Sequence, residues 1–110
     1  MTRKEILDTA EKTVCTDRND IYGGPENSFQ MIGDLWARYI REKCVGPDTD
    51  VDIGADDVAA LMGLFKIARI ATGRYHADNW IDLAGYAACG GEIAAQYDAK
   101  MTDVFKEVLG

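Results

Sequence analysis

The sequence predicts an all-α fold, a helical bundle of four main helices with a short fifth helix at the C-terminus. Three observations predict it. Apolar residues recur at the helical period along most of the chain. No stretch alternates apolar and polar residues as a half-buried strand would. Clusters of Gly, Pro, Asp and Asn cut the chain into helix-length pieces. With 110 residues, the chain is read as one domain spanning 1–110.

The first helix is expected over residues 2–15, where Ile6, Leu7, Ala10 and Val14 fall at helical spacing. Thr2 is its N-cap, with Glu5 placed three residues on to complete a capping box. The segment TDRNDIYGGPENS is then a loop. A second helix runs from about Pro25 to Lys43, since proline suits a first helical turn. Its buried face is read as Phe29, Ile32, Leu35, Trp36, Tyr39 and Ile40. The linker VGPDTDVDIGAD follows, acidic and broken by Pro47. Asp56 is expected to cap a third helix reaching Thr72, with Gly73 as its stop. Leu61, Leu64, Phe65 and Ala68 repeat along it at the helical period.

The fourth helix opens at Asp78 and is expected to reach Tyr97. Ala84, Ala87, Ala88, Gly90, Gly91, Ala94 and Ala95 leave it little bulk. Mid-helix glycines cost about 1 kcal/mol each against alanine, so the close approach of another helix is the expected compensation. A homodimer packed partly through this face would provide it. Met101 to Leu109 form the short last helix, with Val104, Phe105 and Val108 on one side. Trp36 and Trp80 are assigned to the core or to a subunit interface.

Composition narrows the function. The net charge of −7 repels a phosphate backbone and disfavours direct nucleic-acid binding. It suits a protein that holds small phosphates through a local basic cluster or a metal, or one that meets a basic protein. No run approaches the roughly 20 apolar residues of a membrane span, and MTRKEILDTA does not read as a signal peptide. A cytoplasmic location with no membrane partner is therefore expected. The cysteines Cys15, Cys44 and Cys89 are odd in number and form no CxxC pair, so neither zinc nor a disulfide framework is indicated.

Three clusters carry candidate chemistry. Asp78, Asp82 and Tyr86 lie at i, i+4 and i+8, along one helix face, with His76 and Asn79 beside them. Two carboxylates at that spacing repel by a few tenths of a kcal/mol, which calls for a basic partner, a helix N-terminus or a metal. Lys66 and Arg69 sit three apart near the end of the third helix, with Arg74 just beyond. A short connection makes neighbouring helices antiparallel, which should bring these basic groups near the aspartates. The third cluster places Arg18, Asp20, Tyr22, Glu26 and Asn27 around a Gly-rich loop at a helix start, a setting that suits anions.

The plain readings stand beside these. Asp78 serves as an N-cap and Asp82 as an ion-pair partner for Lys66 or Arg69; such structural networks gather charge in the same way. The Gly-Gly-Pro turn serves only to reverse the chain. The acidic run PDTDVDIGADD is a solvated linker, or alternatively the face of an acidic inhibitor that binds a basic protein.

The stretches YGGPENSFQMIGDLW, DVAALMGLFKIAR and DNWIDLAGYAACGGE resemble a group of small, uncharacterised proteins frequent in bacteriophages and prophages. That group in turn resembles the MazG-type all-α nucleotide pyrophosphohydrolases. The resemblance implies an oligomeric helical bundle, usually a dimer or a dimer of dimers, that cleaves nucleoside triphosphates to monophosphate and pyrophosphate. It implies Mg²⁺ held by acidic residues on facing helices, with basic residues on the phosphates. Asp82 maps onto the last acidic position, and Asp78 or Asn79 onto the earlier one. The preceding helix departs from the pattern, carrying Lys66 and Arg69 where that superfamily has a glutamate pair.

On this reading Asp78 and Asp82 are catalytic and, with Glu26, hold the metal. Lys66, Arg69, Arg74, Asn79, Tyr22, Asn27 and Tyr86 bind the nucleotide, and Tyr22 or Trp80 stacks on its base. The alternatives from other classes are a phage protein that binds a nucleotide or nucleotide signal of host defence without cleaving it, and the acidic interaction module. For a phage-encoded chain, the expected location is the host cytoplasm.

Overall fold

The computed structural model describes residues 1–17 and 24–110, the Asp17 side chain excepted, and among the described residues there are four α-helices. They are α1 (Arg3–Lys12), α2 (Pro25–Ile40), α3 (Ala55–Thr72) and α4 (Ala77–Leu109). No strand occurs among the described residues.

Local chemistry sets the ends. The Glu5 backbone N–H donates to Thr2 Oγ1 at 3.1 Å and the Thr2 hydroxyl donates to Glu5 Oε1 at 3.2 Å, so this cap forms as the sequence suggests. α1 and α2 each continue into a wider π-type turn, Thr13–Asp17 and Arg41–Val45. The second closes when the Gly46 N–H donates to the Arg41 carbonyl at 2.8 Å, five residues back. Gly46 takes a φ of 103°, a conformation that glycine alone adopts without strain, and so ends the helix.

Two boundaries differ from expectation. The N-cap of α3 is Gly54, not Asp56, and its N–H donates to Asp57 Oδ2 at 2.9 Å. Asp57, three residues on, is the acid that reaches back, which is the geometry a capping acid requires. In α4, His76 occupies the N-cap position and Asp78 lies in the first turn. The expected break between a fourth and a fifth helix is absent: α4 runs unbroken for 33 residues. Nothing from Asp98 to Thr102 is a helix breaker, and the Thr102 hydroxyl satisfies itself on the Asp98 carbonyl at 3.0 Å.

α4 is the axis of the packing. It lies against both α3 and α1, while α2 packs on α3 and meets α4 through Phe29 and Tyr86. The core is small and made of Ala10, Ile53, Ala55, Val58, Ala59, Ile81, Cys89 and Ile93. Cys89 is buried as a small apolar residue, as expected. On α3 the buried stripe is Ala55, Val58, Ala59 and Gly63, whereas Leu61, Leu64 and Phe65 are exposed. The residues that repeat at the helical period are therefore not the buried face. Apolar residues occur nearly all round this helix, so periodicity could not select a side.

On α2, Phe29, Ile32, Trp36 and Ile40 are half-buried, but Leu35 and Tyr39 are exposed. Gly33 fixes the contact side, because α2 approaches Ile53 so closely that a Cβ there would overlap the Ile53 carbonyl oxygen. Leu35 lies two residues from Gly33, about 200° around the helix and thus on the far side. The small residues of α4 also find neighbours within the chain. A Cβ on Gly90 would stand 2.9 Å from the Ala59 Cβ, and one on Gly85 3.0 Å from Val14 Cγ1. Gly91 faces open space. Trp36 is half-buried and Trp80 exposed, so neither lies in the core. No helix among the described residues is long and apolar enough to cross a membrane.

Candidate functional site

The rotated stripe on α3 determines the site. Because Met62 and Gly63 face α4, Lys66 follows one turn later on the same side and is carried inward with them. Its ammonium Nζ lies 2.8 Å from Asp82 Oδ2, with 16% of the lysine side chain and 37% of the aspartate exposed. A lysine so far withdrawn from water requires a charged partner, and Asp82 supplies it.

Arg69 goes elsewhere. Its guanidinium carbon stands 4.8 Å above the Phe65 ring, and Lys66 Nζ lies 5.8 Å from that same ring. Asp78 does not face the basic pair. It is 71% exposed, and the His76 Nε2 lies 3.7 Å from its carboxylate. At position two of the helix its charge favours the N-terminal dipole. The expected juxtaposition of two aspartates with two basic residues thus reduces to one pair, Lys66–Asp82.

Beside that pair is a cavity of about 280 Å³ between α1, α2 and α4, touched also by Met62 of α3. Ala10, Val14, Ile32, Met62, Ile81 and Cys89 give apolar walls. Thr13, Ser28, Asp82 and Tyr86 add polar groups. The rings of Phe29 and Tyr86 line it with centroids 6.2 Å apart and planes at 38°. Asp82 and Tyr86 are therefore brought together, one turn apart on α4, as their spacing predicts. An apolar cleft with a few convergent polar groups is the usual form of a small-molecule site.

The remaining sequence-predicted residues lie away from this cavity or cannot be placed in it. Glu26 folds over its own helix start, with its carboxylate against Gly24. Asn27, Arg74 and Trp80 are exposed and Asn79 is half-buried; none lines the cavity. Tyr22, Arg18 and Asp20 lie outside the described residues. Sequence reasoning missed Thr13 and Ser28 as cavity groups and read Phe29 only as core. The signal available was the stripe Asp82, Tyr86, Cys89, which pointed to whatever α2 sets opposite it.

A family described as "Domain of unknown function (DUF6378)" matches residues 5–94. The chain belongs to the DUF6378 family. Two phage proteins are similar to this DUF6378 chain. The Gene 55 protein of Mycobacterium phage D29 is 37% identical over 86 residues, covering 78% of this chain and 51% of its own. The Gene 55 protein of Mycobacterium phage L5 is 38% identical over 82 residues, covering 74% and 47%. The chain thus spans about half the length of these curated relatives. No solved structure matches. The DUF6378 match takes in every residue lining the cavity, together with Lys66, and ends within α4.

Proposed function

We propose that this DUF6378 chain binds a nucleotide or nucleotide-derived small molecule in the cavity between α1, α2 and α4. The observation that carries the reading is the combination of two aromatic rings, apolar walls and a rim carboxylate held by a withdrawn lysine. A planar base suits the Phe29 and Tyr86 rings, and its ring N–H groups suit Asp82 and Ser28 as acceptors. Cavities that take drug-sized ligands measure roughly 300–1,000 Å³. This one lies just below that range, so it accommodates a base or nucleoside, with any phosphates outside near Lys66. The bundle arrangement implied by the MazG resemblance is consistent with such a site between helices.

Magnesium, the ion that the same resemblance implies, does not fit the described donors. No three His, Cys, Asp or Glu residues among them stand close enough to hold a metal. Asp82 is engaged by Lys66, Asp78 faces solvent and Glu26 lies over Gly24. The positive charge next to Asp82 comes from an ammonium. Binding without cleavage is accordingly the reading placed first. Metal-assisted pyrophosphohydrolysis is kept second, on the position of Asp82 at the cavity rim.

Calorimetry against nucleoside mono-, di- and triphosphates, with and without EDTA, tests the reading. Binding that persists in EDTA is the expected result, and no heat from any member of the panel overturns it. Pyrophosphate release from a nucleoside triphosphate with Mg²⁺ or Mn²⁺ would replace binding alone by the hydrolase.

A further inference from the structure

Beyond Tyr97 every residue of α4 is exposed. Residues 98–109 extend about 18 Å at 1.5 Å per residue. The chain as a whole is correspondingly long, with a radius of gyration of 16.6 Å where about 13 Å is usual for 110 residues. This arm is not a polar helix. Met101, Val104, Phe105, Val108 and Leu109 are between 50% and 81% exposed. Tyr97, Met101, Val104 and Val108 are spaced four, three and four apart, the a/d spacing of a coiled-coil seam. The family match ends at residue 94, so the seam lies outside the part of the chain that holds the cavity.

We propose that this arm pairs antiparallel with the same arm of a second copy of the chain. Charge selects both the occupant and the direction. With Met101 and Val108 at a and Tyr97 and Val104 at d, Lys100 and Glu107 both fall at g, beside the seam. Reversing one helix sets a positions against d positions and g against g. Met101 then meets Val104 of the second copy, Tyr97 meets its Val108, and Lys100 meets its Glu107. Two-fold symmetry repeats every contact, giving two opposite-charge pairs. In a parallel pair, Lys100 would instead face the uncharged Phe105.

Sedimentation equilibrium on the full chain tests the arrangement. The wild type is expected to be a dimer at micromolar concentration. Met101→Asp with Val104→Asp should weaken it at least about tenfold, equivalent to about 1.4 kcal/mol. These positions touch solvent in the single copy, so an unchanged thermal midpoint at high dilution shows that the helical body remains folded. Lys100→Glu and Glu107→Lys should each weaken association about fivefold, because each turns two attractions into two repulsions. The paired swap should restore it. A monomeric wild type overturns the proposal, as does a dimer indifferent to the aspartates. A paired swap that fails to recover overturns the antiparallel register.

Discussion

Lys66 Nζ and Asp82 Oδ2 stand 2.8 Å apart and are the only ion pair joining two helices among the described residues; the other pairs link near neighbours in sequence. The lysine is the more withdrawn of the two, so removing its partner should cost more than removing the lysine. Asp82→Ala leaves an ammonium short of water and unpaired, and a loss of about 1–2 kcal/mol follows once the partial exposure of the pair is allowed for. Lys66→Met replaces the stem with apolar bulk and should cost less than half of that. Urea unfolding of the two single variants and the double variant would read the coupling. A coupling energy indistinguishable from zero would show that the pair is an incidental surface contact.

The glycines separate into close approaches and open positions, and alanine should distinguish them. At Gly33 a Cβ meets backbone, the Ile53 carbonyl, which cannot rotate away. Gly33→Ala should therefore force α2 off the Ile53 segment and cost about 2–3 kcal/mol. At Gly91 nothing lies within 4 Å, and Gly91→Ala should stabilise by about 0.5–1 kcal/mol through helix propensity alone. Thermal melts of the two variants should move in opposite directions. A Gly33→Ala melt at or above that of the wild type contradicts the close packing of α2.

The acidic linker contains a cap. Asp57 Oδ2 accepts from the Gly54 N–H at 2.9 Å, and Ile53 just before it is buried. Asp57→Ala should cost about 1 kcal/mol by leaving the start of α3 uncapped. Asp50→Ala, in the exposed part of the same run, should change stability by less than about 0.5 kcal/mol. Equal effects from the two would return Asp57 to the solvated linker.

How far the sequence was legible follows from such particulars. Thr2 and Glu5 were readable because a capping box is local. So was Pro25 at the first position of α2. Asp82 with Lys66 was readable as a pairing because a short turn returns the chain upon itself. The face of α3 was not, since a helix apolar on nearly every side carries no direction until Gly63 and Ala59 meet α4. The unbroken length of α4 was hidden for a related reason. Ala99 and Lys100 favour helix as strongly as the segment before them, and only the expectation of a short final helix suggested a break. Asp78 was misplaced because i, i+4 spacing gives a common stripe but not its depth. One turn nearer the helix end, the stripe has already left the interface.

The cavity provides the remaining test. Phe29 and Tyr86 are its two flat walls, 6.2 Å between centroids. Phe29→Leu and Tyr86→Leu keep much of the apolar bulk while removing the flat faces, so each should lower stability by no more than about 1.5 kcal/mol. Stacking of a base on an aromatic side chain is worth about 1–3 kcal/mol. Nucleotide binding should therefore weaken about 5- to 150-fold in each leucine variant. Tyr86→Phe retains the ring and should remain within about threefold of wild type. Calorimetry on folded protein, checked by circular dichroism, measures all of these. Leucine variants that bind as tightly as wild type would place the ligand elsewhere on the chain.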